Sequence, residues 1–265
     1  MTLRIGSVPY LNAKPLVDWF HSPDCRVDVE IVYAVPSALA TMLENGILDV
    51  ANVSVFEALR NPDLTILPNI SISAYGAVKS VRLFAKKPLH KLASVALDSS
   101  SLTSSALTRI LLAEQFGVHP SFAPHAPDLR TMLVQYDAAL IIGDLRLFEL
   151  LPDTFVYDLG SGWLELTGLP FVYACWIAPQ KRVSAQMLSL LQQAKNWGIQ
   201  HLDQLAIKWS QKMHIPFDRC WDYLHCVMNY DLTDDQLEGL KTFQRKCVEH
   251  GLIAQLRPLQ IYASP

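Results

Sequence analysis

Three places in the chain combine residue types at a spacing that can hold an anion. They are Pro9-Tyr10-Leu11-Asn12, Ser54, and the run Ser99-Ser100-Ser101-Leu102-Thr103-Ser104-Ser105. Each follows a stretch of strand character and precedes residues with helical spacing. A helix N-terminus presents unpaired backbone N–H groups and a partial positive charge. Hydroxyl side chains beside it complete a seat for an anion. Plain N-capping is the competing reading. It accounts for Ser54, which opens a capping box with Glu57. It does not account for all of Ser99 to Ser105, because a cap uses one hydroxyl and this run carries six. Ligand binding and local structure stand as open alternatives there. Asp144 closes an apolar strand and reads either as a ligand contact or as a helix cap.

Other chemistries are excluded by what is missing. There is no phosphate loop of the Gly-x-x-x-x-Gly-Lys type, no Gly-x-Gly-x-x-Gly and no Gly-x-Ser-x-Gly elbow. The eight histidines show no metal-ligand spacing, and Cys220, His225 and Cys226, though close together, match no zinc pattern. The five cysteines are odd in number and scattered, which reads as buried or inert thiols and not as a disulfide framework. A net charge of -3 without runs of one sign leaves no footprint for nucleic acid, while a small anion can still find a locally positive site. With 51% hydrophobic and 18% charged residues the chain has the composition of a packed globular protein. Pro9 and Asn12 interrupt the first apolar run before a signal-peptide core can form. No run approaches the length of a membrane span. The expectation is a cytoplasmic protein with no membrane partner, provided no leader was removed.

The elements that must position these corners alternate between strand and helix. Leu3–Val8 reads as a strand, then Asn12 to Pro15 opens a short helix. Val27, Val29 and Ile31 alternate with Asp28 and Glu30 as a second strand. Leu39, Met42 and Leu43 mark a helix ending before Gly46, and Ile47–Val53 is an apolar strand. Ser94–Leu97 is a strand, followed by a helix that stops at Gly117. Leu129, Met132 and Leu133 precede the strand Asp137–Asp144. That last segment echoes Leu39–Val53: both place Thr-Met-Leu in a helix, then Asp and an apolar strand. Ser184 to Trp209 and Thr233 to Gly251 are helical, the latter opening with the capping box Thr233–Gln236. Alternation of this kind predicts an α/β fold with mostly parallel pairing and two lobes of similar architecture. Ligands in such sheets sit beyond the carboxyl ends of the strands.

The segments Arg4-Ile-Gly-Ser-Val-Pro-Tyr-Leu-Asn12-Ala-Lys-Pro15-Leu16, Gly76-Ala-Val-Lys-Ser80-Val81, Leu97-Asp98 through Ser101-Leu-Thr-Ser104, Asp137–Asp144 and Trp163 through Thr167-Gly-Leu-Pro-Phe171 with Trp176 resemble the chorismate dehydratases of the futalosine route to menaquinone. Gly239-Leu240-x-x-Phe243 and Gly251-Leu252 extend the resemblance over nearly the whole chain. Two departures stand out. Leu102 occupies a place where many relatives carry arginine, and Val50-Ala-Asn-Val-Ser54 is more polar than the family's apolar, proline-containing version.

The resemblance implies a two-lobed periplasmic-binding-protein-like fold of the second type, with a ligand cleft between the lobes. Residues 1–84 plus 176–265 would form the larger lobe and 85–175 the smaller, with crossing strands near Val81–Phe84 and Phe171–Trp176. It implies conversion of chorismate to 3-[(1-carboxyvinyl)oxy]benzoate and water. Asn12 and Ser80 would be catalytic, and Tyr10, Ser101, Thr103, Ser104 and Asp144 would bind the small dicarboxylate substrate. Aromatisation drives the reaction, so no metal or other cofactor is implied. Two alternatives remain: a non-catalytic small-anion binder of the same fold, and the related 1,4-dihydroxy-6-naphthoate synthase, whose opening is expected to lack Tyr-Leu-Asn.

Overall fold

Short apolar strands, each bounded by a polar turn, assemble into two separate five-stranded sheets. The computed structural model describes residues 2–143, 151 and 153–263. The chain divides into two compact units, one of Met1–Ser73, Ala174–Thr233 and Leu259–Pro265, and a second of Ala74–Tyr173 and Asp234–Pro258.

The first sheet contains β1 (Leu3–Ser7), β2 (Val29–Tyr33), β3 (Val50–Ser54), β4 (Leu64–Ala74) and β10 (Phe171–Pro179), in the order β2-β1-β3-β10-β4. β1 is central to a parallel trio with β2 and β3, and β10 runs antiparallel to β3. The second sheet contains β5 (Val81–Ala85), β6 (Ser94–Asp98), β7 (Ser121–His125), β8 (Ala138–Ile142) and β9 (Phe155–Asp158), in the order β7-β6-β8-β5-β9. Here β6 is central to a parallel trio with β7 and β8, and β5 runs antiparallel to β8 and β9. The two sheets therefore share one pattern.

The Thr-Met-Leu echo lies at matching places in that pattern. Thr41-Met-Leu43 sits in α2 (Pro36–Glu44), which leads into β3, and Thr131-Met-Leu133 sits in α5 (Leu129–Gln135), which leads into β8. The aspartate before each strand does the same work in both sheets. Asp49 accepts from the backbone N–H of Arg4 at 3.0 Å, and Asp137 accepts from Ala93 and Ser94 at 2.8 and 3.2 Å. Each carboxylate thus ties the start of the central strand to the strand beside it. Asp49 is held below the usual carboxylate range by hydrogen bonds from Arg4, against the opposing effect of burial. Burial acts to raise Asp137, but hydrogen bonds from Lys87, Ala93 and Ser94 outweigh it and hold the carboxyl low.

Several expectations shift. Val81–Phe84 is not a crossing strand but β5, paired on both sides within the second sheet. The chain leaves the first unit at the end of β4, a strand that Pro68 and Asn69 hide in the sequence, since both read as turn residues and Asn69 has φ 68°. The chain returns to the first unit within β10, between Tyr173 and Ala174. The pairing is mixed rather than mostly parallel, because β10 and β5 insert antiparallel beside each trio.

The C-terminal helix α10 (Asp234–Glu249) groups with the second unit. Phe243, 1% exposed, meets Phe171 and Trp163 edge-on at 5.0 and 6.1 Å. Such aromatic pairs add roughly 0.5–1.5 kcal/mol each beyond their buried area. Glu114 of α4 (Leu102–Phe116) also accepts from Lys246 at 2.5 Å and from His250 at 2.8 Å. The larger-lobe boundaries 1–84 and 176–265 therefore do not coincide with the two units.

Among the described residues, no helix is long and apolar enough to cross a membrane. No group of three or more His, Cys, Asp or Glu among them is placed to hold a metal ion. None of the five cysteines is joined in a disulfide, and burial pushes the Cys247 thiol up to about 12.

Candidate active site

Two corners occupy equivalent places in the two sheets, each just beyond the carboxyl end of the central strand. After β1 the chain turns through Pro9 and Tyr10 into a single 3-10 turn, Leu11–Ala13, and then into α1 (Lys14–Val17) with Pro15 in its first turn. Leu11, Ala13, Leu16 and Val17 are fully buried and anchor this turn from below. Asn12 lies within the 3-10 turn. Neither that turn nor α1 has a side-chain cap hydrogen bond, so Asn12 is not a cap. Its Oδ1 is buried and has no hydrogen-bond partner among the described residues.

More unpartnered polar atoms lie in the same unit. Asn52 of β3 and Trp176 of β10 face each other across the strands, both 0% exposed. Among the described residues, neither the amide atoms of Asn52 nor the indole Nε1 of Trp176 have a partner. Lys14, only 3% exposed, holds its ammonium 4.1 Å from the centre of the Trp209 ring and 4.9 Å from that of Tyr33. Burial, with the Asp18 carboxylate, pushes the Tyr33 hydroxyl up to about 12.

The corner after β6 is built differently. Ser101 is the N-cap of α4: its Oγ accepts from the Ser104 N–H at 3.2 Å and donates to Ser104 Oγ at 2.9 Å. Ser105 Oγ donates to the Ser101 carbonyl at 2.7 Å. Thr103 Oγ1 donates to the Tyr173 carbonyl at 3.2 Å. Ser100 donates through both N–H and Oγ to Asp98, at 2.9 and 2.5 Å. The second oxygen of Asp98, itself 1% exposed, accepts from the Ile142 N–H at 3.2 Å. Most of the six hydroxyls thus have acceptors inside the protein.

Ser80 reaches this corner from the other side of β8. It immediately precedes β5, and its carbonyl accepts from the Gly143 N–H at 3.1 Å. The end of β8 therefore lies between Ser80 and the Asp98–Ser104 corner. Ser80, Ser101 and Ser104 stand at the same end of the second sheet, beside the end of β8, and are 3%, 7% and 3% exposed. Thr103 belongs to the same turn, with its hydroxyl proton directed to the backbone. Tyr10 and Asn12 belong to the corner of the first unit. Asp144 lies outside the described residues. Ser54 stands at the N-cap of α3 (Val55–Arg60) without a side-chain cap bond, and Glu57 pairs with Arg60 at 2.7 Å. The expected capping box is thus not what holds that helix. Burial raises the Glu57 carboxyl, with the Arg60 contact opposing it.

Sequence reasoning missed two carboxylates here, Asp98 and Asp158. In the sequence, Asp98 stands only within the Leu97-Asp98 through Ser104 motif of the resemblance, with no role of its own. Asp158 caps α6 (Leu159–Thr167), and a cap signal did exist in Asp158-Leu-Gly-Ser161. Nothing local in the sequence shows that this aspartate also binds the segment before Ser80.

A family model described as menaquinone biosynthesis matches residues 3–249. Over 258 residues the chain is 31% identical to a chorismate dehydratase of Thermus thermophilus, covering 90% of this chain and 93% of that protein. It is 26% identical to a chorismate dehydratase of Campylobacter jejuni, covering 91% of this chain and 96% of the relative. Among solved structures, a protein of Archaeoglobus fulgidus matches with a TM-score of 0.76 at 16% identity, covering 95% of this chain and 98% of that one. The alkanesulfonate-binding protein of Xanthomonas axonopodis, bound to MOPS, matches with a TM-score of 0.66 at 16% identity, covering 98% and 96%. At such identities the structural likeness shows the fold alone, and that fold is the periplasmic-binding-protein fold.

Proposed function

We propose, from the premise that this chain belongs to the menaquinone biosynthesis family, that it is a lyase that dehydrates chorismate to 3-[(1-carboxyvinyl)oxy]benzoate. The observation that carries this reading is the likeness to a chorismate dehydratase along nine-tenths of both chains. Residues of both corners lie within the matched span 3–249.

Chorismate carries a ring carboxylate, an enolpyruvyl ether at C3 and a hydroxyl at C4. Breaking the C3–H bond releases an electron pair into the ring as the C4–O bond breaks, and the ring becomes aromatic. The C3 hydrogen is vinylogous to the ring carboxylate, so negative charge develops on that carboxylate in the transition state. Donors fixed in advance where charge develops lower the barrier. Ser80, Ser101 and Ser104 are candidates for this role, grouped at one end of the second sheet. Tyr10, Thr103 and Asp144 are proposed as further substrate contacts. The amide of Asn12 can donate to a carboxylate and accept from the departing hydroxyl. Its unpartnered Oδ1 supports that role. The substrate's own enolpyruvyl carboxylate takes the C3 proton and passes it to the C4 oxygen, which leaves as water. Holding that carboxylate over C3 makes the transfer intramolecular. The enzyme is read as cytoplasmic.

The test is incubation of the purified protein with chorismate and mass analysis of the product. Loss of one water, at a rate proportional to enzyme, is expected. Chorismate that binds but is recovered intact overturns the enzymatic reading in favour of a binder.

A further inference from the structure

We propose that Asp158 is a positioning residue for Ser80, acting through the backbone of the segment before it. This rests on the dehydratase reading of Ser80. Asp158 ends β9 and caps α6. Its Oδ1 accepts from the N–H groups of Gly160 and Ser161 at 3.0 and 3.1 Å, the ordinary work of a cap. The same carboxylate also reaches across to Val78–Ser80. Oδ1 accepts from the Val78 N–H at 3.0 Å, and Oδ2 from the Lys79 N–H at 2.7 Å. One carboxylate therefore gathers four backbone donors from two segments nearly eighty residues apart in sequence.

The gathered segment is strained. Lys79 has φ 64°, a left-handed conformation that costs a residue with a Cβ and persists only where the surroundings impose it. Gly76, three residues earlier, has φ 91°. Val78 closes the turn by accepting from the Ser80 N–H at 2.8 Å. The first turn of α6 lies against this loop with backbone on backbone. A Cβ on Gly160 would stand 2.2 Å from the Gly76 carbonyl and 3.1 Å from the Val78 nitrogen. Ser80 follows directly, and its direction is set by the Lys79 dihedrals. A cap alone needs only Oδ1; the bond from Lys79 to Oδ2 is what a pure cap leaves unexplained.

The two oxygens allow the roles to be separated. Asp158→Asn keeps an oxygen for the helix cap, where Asn serves as well as Asp. It replaces Oδ2 with an amide NH2 that faces the Lys79 N–H, donor against donor. Turnover of chorismate by the variant is expected to fall about tenfold with KM changed less than about threefold, as for a displaced transition-state donor. In a Ser80→Ala background the same change is expected to alter kcat less than about twofold, because coupled residues are non-additive. Hydrogen exchange of the peptide covering Gly76–Val81 is expected to accelerate about tenfold with α6 still protected, since that loop loses its tie.

Wild-type turnover in Asp158→Asn, or an equal fall in the Ser80→Ala background, overturns the inference. So does a Ser80→Ala variant as active as the wild type. If the wild-type protein leaves chorismate unchanged, it is the dehydratase reading that has failed. Exchange at Gly76–Val81 then decides the clasp alone, and an unchanged rate refutes it.

Discussion

The corners after β1 and β6 sit at the same place in two sheets of the same pattern, yet they treat their polar atoms in opposite ways. After β6, Ser100, Ser101, Thr103 and Ser105 all direct their hydroxyls to acceptors within the protein. In the first unit, Asn12 Oδ1 is buried without a partner among the described residues, and so are both amide atoms of Asn52 and the Trp176 indole nitrogen. Leaving a buried polar group unmet costs about 1–3 kcal/mol, and native proteins leave few such groups. The hydroxyl corner looks chemically richer in sequence, but in structure it is largely self-satisfied. The corner after β1 keeps one buried amide oxygen, Asn12 Oδ1, without a partner among the described residues.

The sharpest way to break this contrast is Asn12→Asp. The substitution keeps the size of the side chain, removes a donor and sets a negative charge beside a dianionic substrate. Turnover of chorismate is expected to fall about a hundredfold or more, the scale of losing a preorganised donor, with the melting temperature nearly unchanged. Since Asn12 caps no helix, wild-type turnover in the folded variant would remove Asn12 from the site.

A smaller effect is expected from the double substitution Ser101→Ala and Ser104→Ala. Ser101 is a true N-cap, so stability should fall by about 1 kcal/mol, the usual value of a lost cap. If the pair also meets a substrate carboxylate, chorismate affinity should weaken about tenfold or more, because hydrogen bonds to charged groups contribute about 1.5–3 kcal/mol each. Calorimetry with chorismate, run beside a thermal melt, separates the two. A lowered melting temperature with unchanged affinity would make this corner purely structural.

The smallest effect sharpens the comparison within the first unit. Asn52→Leu replaces a wholly buried amide, unpartnered among the described residues, with an apolar group of similar volume. Stability is expected to rise by about 1 kcal/mol, since the unmet amide is removed, while turnover stays within about twofold of wild type. A rise in melting temperature accompanied by a large loss of turnover would instead place Asn52 with Asn12 among the groups that meet substrate.

What the sequence determined by itself was set by local physics. Apolar runs between polar turns mark β1, β3, β6 and β8, and helical spacing with Gly46 or Gly117 as a stop marks α2 and α4. The Thr-Met-Leu echo disclosed that two units share a pattern, and the Tyr-Leu-Asn opening pointed to the family. The six hydroxyls of Ser99 to Ser105 were legible as a corner, but not which of them have acceptors inside the protein. That choice depends on Tyr173, seventy residues beyond Thr103, and on the return of β8 beside Asp98. Only the tertiary structure decided that α10 joins the second unit, because Phe243 has to find Trp163 and Phe171. It also decided that Asp158 grips Lys79. A cap or a strand is written in neighbouring residues, since its hydrogen bonds close within a few positions. The partner of a buried polar atom is settled only when distant segments pack together.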